Sequence, residues 1–316
     1  MNNTASKAKL YIDGEHGTTG LQIRERLALR FDIDVLSMPH EERRNADYRA
    51  KLLNEADIAI LCLPDDASRE AVQMLESANN TTTRLIDASS AFRTNENWAY
   101  GFAELEKGNR EKIASARFVT NPGCYATGAI ALLRPLILAG LLPADYPLTI
   151  NAVSGYSGGG KNMIAQMEDA TREDHISSAH FLYALPLAHK HMPEIVARSG
   201  LKRDPVFTPN VGRFAQGMLV NIPLHLDLLK DASIATLHEV YETHYTGQNS
   251  VSVASLDEVS KAGSLDPEEM RGTDNLKLYV TGAQNSGRAN LVASLDNLGK
   301  GASGAAVQNM DIMLKG

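Results

Sequence analysis

Short apolar strands alternate with helical segments through the first 120 residues of the chain. The strands are predicted at residues 8–14, 31–38, 56–64, 83–90 and 117–123, and the helices at 21–30, 67–78 and 124–140. Apolar strands separated by helices are typical of a parallel sheet that helices cover on both faces. The sequence therefore predicts an α/β fold built on a Rossmann-like, doubly wound parallel sheet.

The pattern changes after residue 145, where longer β-like runs follow one another with few helices between them. These runs span residues 147–155, 216–226, 250–256 and 276–283. They predict a second, α+β domain built on a mixed sheet, and a length of 316 residues fits two domains. The last segment, 296–316, has the pattern of a small-residue helix that packs back on the first domain. We therefore expect domains at 1–123 plus 297–316 and at 124–296.

Charge and composition exclude several classes of protein. The net charge is −7, the isoelectric point is near 5.7 and no basic tract is present, which argues against a nucleic-acid partner. The chain begins without the apolar run of a signal peptide and has no stretch of 18 apolar residues, so we expect no membrane partner. Two cysteines make no disulfide framework. These features predict a cytoplasmic protein.

A glycine-rich turn follows the first predicted strand. Its sequence GEHGTTG places Gly14, Gly17 and Gly20 in a variant of the dinucleotide-binding pattern. Glycines at such a turn let a pyrophosphate approach the backbone at a helix N-terminus, where Thr18 and Thr19 could add hydroxyl donors. A plain strand-to-helix turn is the alternative, but the position in the first βαβ unit favours a cofactor site.

The residues after the second predicted strand indicate which cofactor binds. The second strand does not end in an Asp or Glu that could hold a ribose 2′-hydroxyl group, and Ser37, Arg43 and Arg44 follow instead. Hydroxyl and guanidinium groups suit a 2′-phosphate. The segment therefore favours NADP over NAD.

Residues 155–161, GYSGGGK, match the spacing of a phosphate-binding P-loop. Asn162 stands where that motif needs a Ser or Thr to coordinate magnesium, so we do not expect an ATPase. A loop that donates backbone N–H groups to a polar or anionic substrate fits better, with Lys161 as a helper.

The two cysteines lie in different surroundings. Cys62 falls within an apolar strand and is expected to pack as a small hydrophobic residue. Cys124 follows an Asn-Pro-Gly corner and opens a predicted helix, where the helix dipole and N–H groups favour a thiolate. The same N–H groups could hold an oxyanion when the sulfur attacks a carbonyl. Cys124 is therefore the candidate nucleophile, although a cysteine at a helix start can also have only a packing role.

A thiolate nucleophile needs a base, and His189 and His191 are the candidates. Alternate residues of an extended segment face the same way, so both rings could line one cavity, and Glu194 could orient one of them. The alternatives are a solvated pair or two metal ligands, for which only His175 and His180 lie near enough in sequence to add ligands. No Cys or HExxH spacing completes such a set, so we expect no metal.

Six motifs in order along the chain resemble the N-acetyl-γ-glutamyl-phosphate reductase family of arginine biosynthesis, in its shorter form. They are DGEHGTTGLQI (13–23), DASSAFR (87–93), NPGCYAT (121–127), SGYSGGGK (154–161), HKHMPEI (189–195) and DNLGKGASGAAVQN (296–309). The last is shared with the aspartate-semialdehyde dehydrogenases, so it marks the semialdehyde dehydrogenase superfamily only. Glu15 and His16 stand where the longer form has alanine and serine.

The resemblance implies an NADP-binding first domain and a second domain for catalysis and dimer contact. It implies that Cys124 is the nucleophile and leaves the base open between His189 and His191, with His191 preferred because Glu194 is near. The other expected contacts are Asn297 and Gly299 near the nicotinamide, and Arg93, Asn121, Ser154, Gly155 and Lys161 at the substrate. The broad second sheet makes a homo-oligomer, a dimer or a tetramer, the expected assembly.

The activity implied is reduction of N-acetyl-γ-glutamyl phosphate to N-acetylglutamate 5-semialdehyde by NADPH, through a thioester on Cys124. The nearest alternative is an aspartate-semialdehyde dehydrogenase-like enzyme that acts on another acyl phosphate. A cysteine hydrolase would not need a dinucleotide, and a dinucleotide-sensing regulator would not need Cys124.

Overall fold

The computed structural model describes residues 7–42, 45–283 and 285–316. The chain forms two compact units. The first contains the residues up to Ala103, Gly108–Pro122 and Ala305–Gly316, and the second contains Glu104–Lys107 and Gly123–Gly304. Within the described part of the chain, no helix is long and apolar enough to cross a membrane.

The first unit is built on a parallel sheet of six strands. Its strands are β1 (Ala8–Asp13), β2 (Ile33–Leu36), β3 (Ile58–Leu61), β4 (Arg84–Asp87), β5 (Ala99–Tyr100) and β6 (Phe118–Thr120). Its helices are α1 (Thr18–Leu27), α2 (Ala46–Glu55), α3 (Asp65–Ser77), α4 (Asn109–Ser115) and, at the end of the chain, α10 (Gly304–Lys315). The strand order β2-β1-β3-β4-β6-β5 reverses between β1 and β3, and ligands of such folds bind beyond the carboxyl ends of the strands at this point.

Apolar side chains cover both faces of this sheet. On one face Ile12 and Ile60 pack with Met310 and Ile312 of α10, and on the other Leu61 packs in a separate cluster. The guanidinium group of Arg84 also donates to the carbonyl of Met313, at 2.6 Å. The final helix is therefore part of the core of the first unit.

The second unit is built on a mixed sheet of seven strands in the order β11-β12-β13-β10-β7-β9-β8. The strands are β7 (Thr149–Gly155), β8 (His180–Leu182), β9 (Val206–Gly212), β10 (Met218–His225), β11 (Val251–Val253), β12 (Leu276–Thr281) and β13 (Arg288–Leu295). The helices are α5 (Cys124–Leu138), α6 (Gly160–Glu168), α7 (Met192–Ser199), α8 (Ile234–Tyr245) and α9 (Leu256–Lys261), and Gly299–Ser303 form a π-helical turn. The apolar helix α5 packs on β10 and β13.

The predicted fold class, a doubly wound parallel sheet plus a second unit on a mixed sheet, is confirmed. The prediction misses β9, because Pro209 and Gly212 are turn-forming residues. It misses β13 because the residues from Leu291 to Leu295 are all buried, which removes the alternation of apolar and polar residues that marks a half-buried strand. It also misses α2, a polar helix whose start is capped by the side chain of Asn45. The chain rejoins the first unit at residue 305 rather than at the predicted 297.

Candidate active site

Cys124 is the first residue of α5, as the Pro-Gly corner predicts. Gly123 is the N-cap, and the first helical hydrogen bond runs from the Thr127 N–H to the Gly123 carbonyl, at 2.8 Å. The N–H groups of the first helical turn point out of the helix and create a positive potential at the sulfur. Because α5 is almost wholly buried among apolar residues, the thiol is fixed to a rigid element.

The backbone of the π-helical turn lies close to Cys124. A Cβ atom on Gly301 would lie 2.8 Å from the Cβ atom of Cys124 and 3.0 Å from the carbonyl oxygen of Asp296. Only a glycine fits there without displacing the nucleophile. No signal in the sequence singles out Gly301, although it lies within the last of the six motifs.

Glu194 contacts the segment that carries the nucleophile. Its side chain is buried in the first turn of α7, and its Oε1 accepts the Gly123 N–H at 2.9 Å. Hydrogen bonds to a carboxylate are stronger than those to a neutral acceptor. Glu194 therefore positions the residue before Cys124, and its predicted role in orienting a histidine stays a prediction.

The hydrogen bonds of His189 determine which of its nitrogens carries the proton. Its Nδ1 accepts the backbone N–H of His191 at 3.0 Å, and its Nε2 lies 3.1 Å from the hydroxyl oxygen of Tyr183. A neutral ring whose Nδ1 accepts must hold its proton on Nε2. His189 is therefore a donor toward Tyr183 when it is neutral.

Tyr125 lies at the centre of an aromatic cluster that includes both histidines. Its ring centroid is 5.6 Å from that of His189 and 6.0 Å from that of His191, and its hydroxyl donates to the Asn210 carbonyl at 3.0 Å. Burial raises the pKa of Tyr125 and of Tyr183 well above the ordinary value for a phenol, and the charge of a Cys124 thiolate adds to both shifts. Both hydroxyls therefore stay protonated at neutral pH.

The glycine-rich loop after β7 is held by Asn297. The Asn297 Oδ1 accepts the Gly217 N–H at 2.8 Å, and its Nδ2 donates to the Ser157 hydroxyl at 3.0 Å. A Cβ atom on Gly158 would lie 3.3 Å from that Nδ2 and 3.5 Å from the hydroxyl oxygen of Ser154. The glycine-rich loop, Ser154 and Asn297 thus pack together within the second unit.

Lys161 and Gly299 take no part in the hydrogen bonds that Asn297 makes with the glycine-rich loop. Lys161 lies in the first turn of α6 with an exposed side chain. Gly299 opens the π-helical turn, and a Cβ atom there would lie 2.0 Å from the Thr273 carbonyl oxygen, so its backbone is enclosed by protein. The roles predicted for both, at the substrate and at the nicotinamide, stay predictions.

A buried ion pair lies in the same π-helical turn. The Nζ of Lys300 is 2.8 Å from Oε2 of Glu104, and both side chains are 2% exposed. Each charge compensates the other, so the pair tolerates removal from water. π-helical turns are frequent at functional sites, and this one carries Gly301, which contacts Cys124.

The predicted cofactor turn lies in the first unit, between β1 and α1. Gly14 has a φ of +87°, and a Cβ atom there would lie 2.4 Å from the Cys62 carbonyl oxygen. Gly17 is the N-cap of α1, and Thr18 and Thr19 are its first two residues. The turn thus has the close backbone packing and the helix N-terminus that a pyrophosphate needs.

A cavity of about 270 Å³ adjoins the turn. Its walls include Gly14, Glu15, Met38, Arg49 and Leu63. It lies beyond the carboxyl ends of β1 and β3, where the strand order reverses. Apolar walls with a few polar groups are typical of a small-molecule site, and the residues present fit the adenosine part of a dinucleotide.

Of the three residues predicted to bind the 2′-phosphate, Ser37 lies in the described part of the chain. Arg43 and Arg44 lie outside the described part of the chain. Arg24, which was not among the predicted site residues, forms an ion pair with the buried Glu15, and its Nη1 donates to the Ser37 hydroxyl at 3.1 Å. The sequence does contain a signal for the contact between Glu15 and Arg24, because an arginine in the first helix follows an acidic residue in the glycine turn.

Arg93 and Asn121 lie together in the first unit. The Nε of Arg93 donates to the Asn121 carbonyl at 3.0 Å, and its Nη2 donates to the Ala88 carbonyl at 3.1 Å. The Asn121 Oδ1 accepts from Asn309 at 3.1 Å. These bonds fix the segment that leads to Cys124, and the predicted substrate contacts of Arg93 and Asn121 stay predictions.

The second cysteine cannot compete with the first. Burial raises the pKa of the Cys62 thiol to about 12, and the carboxylates of Asp13 and Asp87 contribute to the rise. The thiol is therefore protonated at neutral pH and is a poor nucleophile. Across residues 7–42, 45–283 and 285–316, no three His, Cys, Asp or Glu side chains form a group that could hold a metal ion.

Comparison with known proteins assigns the family. An N-acetyl-γ-glutamyl-phosphate reductase from Brucella anthropi is 61% identical over 309 residues, which cover 98% of this chain and 99% of the relative. The chain belongs to the N-acetyl-γ-glutamyl-phosphate reductase family. Two models of the wider superfamily also match, the semialdehyde dehydrogenase NAD-binding domain at residues 36–116 and the semialdehyde dehydrogenase dimerisation domain at 124–297.

Solved structures of the superfamily share the fold of this reductase-family chain. Aspartate semialdehyde dehydrogenase II from Vibrio cholerae has a TM-score of 0.72 at 16% identity and covers 98% of this chain and 99% of its own. Aspartate semialdehyde dehydrogenase from Candida albicans, solved with NADP, has a TM-score of 0.65 at 12% identity, with coverage of 98% and 99%. The predicted family and enzyme class are confirmed, and the matching NAD-binding domain model supports a nicotinamide dinucleotide cofactor.

Proposed function

We propose that the protein catalyses the NADPH-dependent reduction of N-acetyl-γ-glutamyl phosphate to N-acetylglutamate 5-semialdehyde and phosphate, a reaction of arginine biosynthesis. The observation that carries the proposal is the thiol of Cys124 at the N-terminus of α5, beside the cluster of Tyr125, His189 and His191. The relatives at 60–61% identity have the same name as this activity.

The first step is attack by the Cys124 thiolate on the carbonyl carbon of the acyl phosphate. The N–H groups at the start of α5 hold the oxyanion of the tetrahedral intermediate, because the free N–H groups of a first helical turn point out of the helix where Cys124 begins it. The C–O bond to phosphate then breaks, phosphate leaves and a thioester remains on Cys124. Glu194 keeps the start of the helix in place through its bond with Gly123.

The two histidines divide the proton transfers in this proposal. His189 holds its proton on Nε2, so it acts as a hydrogen-bond donor rather than as the base in its neutral form. His191 accepts the thiol proton of Cys124 and returns a proton when the hemithioacetal collapses. Tyr183 keeps the His189 ring oriented through its bond with Nε2.

NADPH supplies the hydride that reduces the thioester carbonyl. The chain contributes the cradle for its pyrophosphate at Gly14 and Gly17, and the start of α1. We assign Asn297 and Gly299 to the nicotinamide end. The groups that we assign to the acyl phosphate are Arg93, Asn121, Ser154, Gly155 and Lys161.

The protein is proposed to work as a cytoplasmic homo-oligomer, a dimer or a tetramer. Alternate residues of β10 support this assembly, because Val220 and Ile222 are buried whereas Leu219, Asn221 and Pro223 are half-buried or exposed. A second copy of the sheet could cover that face. The matching family model at residues 124–297 is described as a dimerisation domain.

The test is an NADPH-absorbance assay with N-acetyl-γ-glutamyl phosphate, with aspartyl phosphate as the matched control. We expect one NADPH consumed per acyl phosphate and at least about a hundredfold preference in kcat/KM for the acetylated substrate, because a site that binds the acetamido group gains hydrogen bonds that the control lacks. A preference for aspartyl phosphate would assign the chain to the sister activity. Release of the free acid without NADPH oxidation would assign it to the hydrolases.

A further inference from the structure

The ion pair between Glu15 and Arg24 adjoins the predicted cofactor site, because Glu15 lines the cavity beside the glycine turn. Glu15 lies inside the glycine turn with 5% of its surface exposed, and the Arg24 side chain is 42% exposed. The Arg24 Nη1 also donates to the hydroxyl of Ser37, the residue that follows β2. One guanidinium group therefore connects the turn after β1 with the end of the neighbouring strand.

We infer that Arg24, held in place by Glu15, recognises the 2′-phosphate of NADPH together with Ser37 and so sets the preference over NADH. In this fold the ribose of the adenosine lies at the carboxyl end of the strand next to β1. That strand is β2, whose Leu36 pairs with Tyr11 of β1. The inference rests on the proposed function, because it concerns the cofactor of that reaction.

The charges explain why both members of the pair are needed. A carboxylate buried in a turn that receives a pyrophosphate would repel it, and Arg24 compensates that charge. The guanidinium group has five N–H donors, and the contacts with Glu15 and Ser37 both use Nη1. A phosphate can therefore bind Arg24 while the bond with Glu15 persists.

The discrimination follows from the difference between the two cofactors. NADPH brings a phosphate of nearly two negative charges to this position, whereas NADH brings a neutral hydroxyl. A charge-assisted bond from a guanidinium group to a phosphate corresponds to a factor of about 10 to 100 in affinity. The Ser37 hydroxyl adds one donor, and its contact with Arg24 places the two donors side by side.

The experiment measures the dissociation constants of NADPH and NADH for the intact protein, without acyl substrate. The variants are Arg24→Gln, the double variant Glu15→Gln with Arg24→Gln, and Arg26→Gln as the matched control on the same helix. We expect Arg24→Gln to weaken NADPH by about 10- to 100-fold, and the double variant, which removes the unpaired carboxylate, to bind NADH within about twofold of the wild type. Arg26→Gln should leave both constants unchanged.

Two outcomes would overturn the inference. One is equal weakening of NADPH and NADH in the double variant, which would give Arg24 only a structural role. The other is an unchanged NADPH constant in Arg24→Gln with a large loss in the Arg43→Ala, Arg44→Ala double variant, which would assign the 2′-phosphate to that pair. Because no acyl substrate is present, these outcomes are separate from a failure of the proposed reaction, which would appear as normal NADPH binding without turnover.

Discussion

Replacing Gly301 by alanine tests whether the π-helical turn positions the nucleophile. The new Cβ atom would lie 2.8 Å from the Cβ atom of Cys124, whereas two carbon atoms in ordinary contact are about 3.5–4.0 Å apart. The two atoms must therefore separate by roughly 1 Å, and a displacement of that size at a reacting group costs about a hundredfold in rate. We expect kcat to fall by about this factor while the dissociation constant of NADPH stays unchanged.

The assay combines turnover with the rate at which iodoacetamide alkylates Cys124, because a displaced thiol should change both. Gly263→Ala is the control, since nothing lies within 4 Å of the added atom there. Overpacking costs about 1–3 kcal/mol, so thermal unfolding must confirm that Gly301→Ala is folded at the assay temperature. A folded Gly301→Ala protein with the kcat of the wild type would refute the positioning role.

Three further predictions follow from the thiols and the buried ion pair. Cys124→Ser should lower turnover at least about a thousandfold with NADPH binding retained, whereas Cys62→Ser should stay active; equal losses in the two variants would contradict the assignment. At pH 8 iodoacetamide should label Cys124 alone, because burial raises the pKa of the Cys62 thiol to about 12. In the reverse direction, semialdehyde plus NADP⁺ should give steady NADPH formation only with added phosphate, and a rapid-mixing trace that is indifferent to phosphate would mean that water resolves the thioester. Lys300→Met should destabilise the fold by about 3–5 kcal/mol in denaturant unfolding. A second change, Glu104→Gln, should recover most of the loss because it removes the buried carboxylate charge that Lys300 compensates; no recovery would show that the pair is not coupled.

The position of the nucleophile could be predicted because its signal is local. A Pro-Gly corner followed by a long apolar run starts a helix, and α5 begins at Cys124 as expected. The glycine turn is local in the same sense, since Gly14 and Gly17 lie between β1 and α1 and Gly20 lies in the first turn of that helix. Features that a few neighbouring residues determine are therefore within reach of the sequence.

The partners of the site residues could not be predicted, because they come from distant segments. Glu194 contacts Gly123 across 71 positions, and Asn297 contacts Gly217 across 80. Tyr183 is nearer to His189 in sequence, but only the turn between β8 and α7 brings its hydroxyl to the ring nitrogen. Such pairs depend on the order of strands in the second sheet, which hydrophobic patterns do not specify.

Helix α10 has a consequence for the order in which the chain acquires its structure during synthesis. Met310, Ile312 and Met313 complete a core whose other members, such as Ile12, are made near the start of translation. Every residue of the second unit is synthesised between them. The second unit can therefore complete its core while the first still exposes one apolar face of its sheet, so the earliest part of the polypeptide to emerge is the last to become stable.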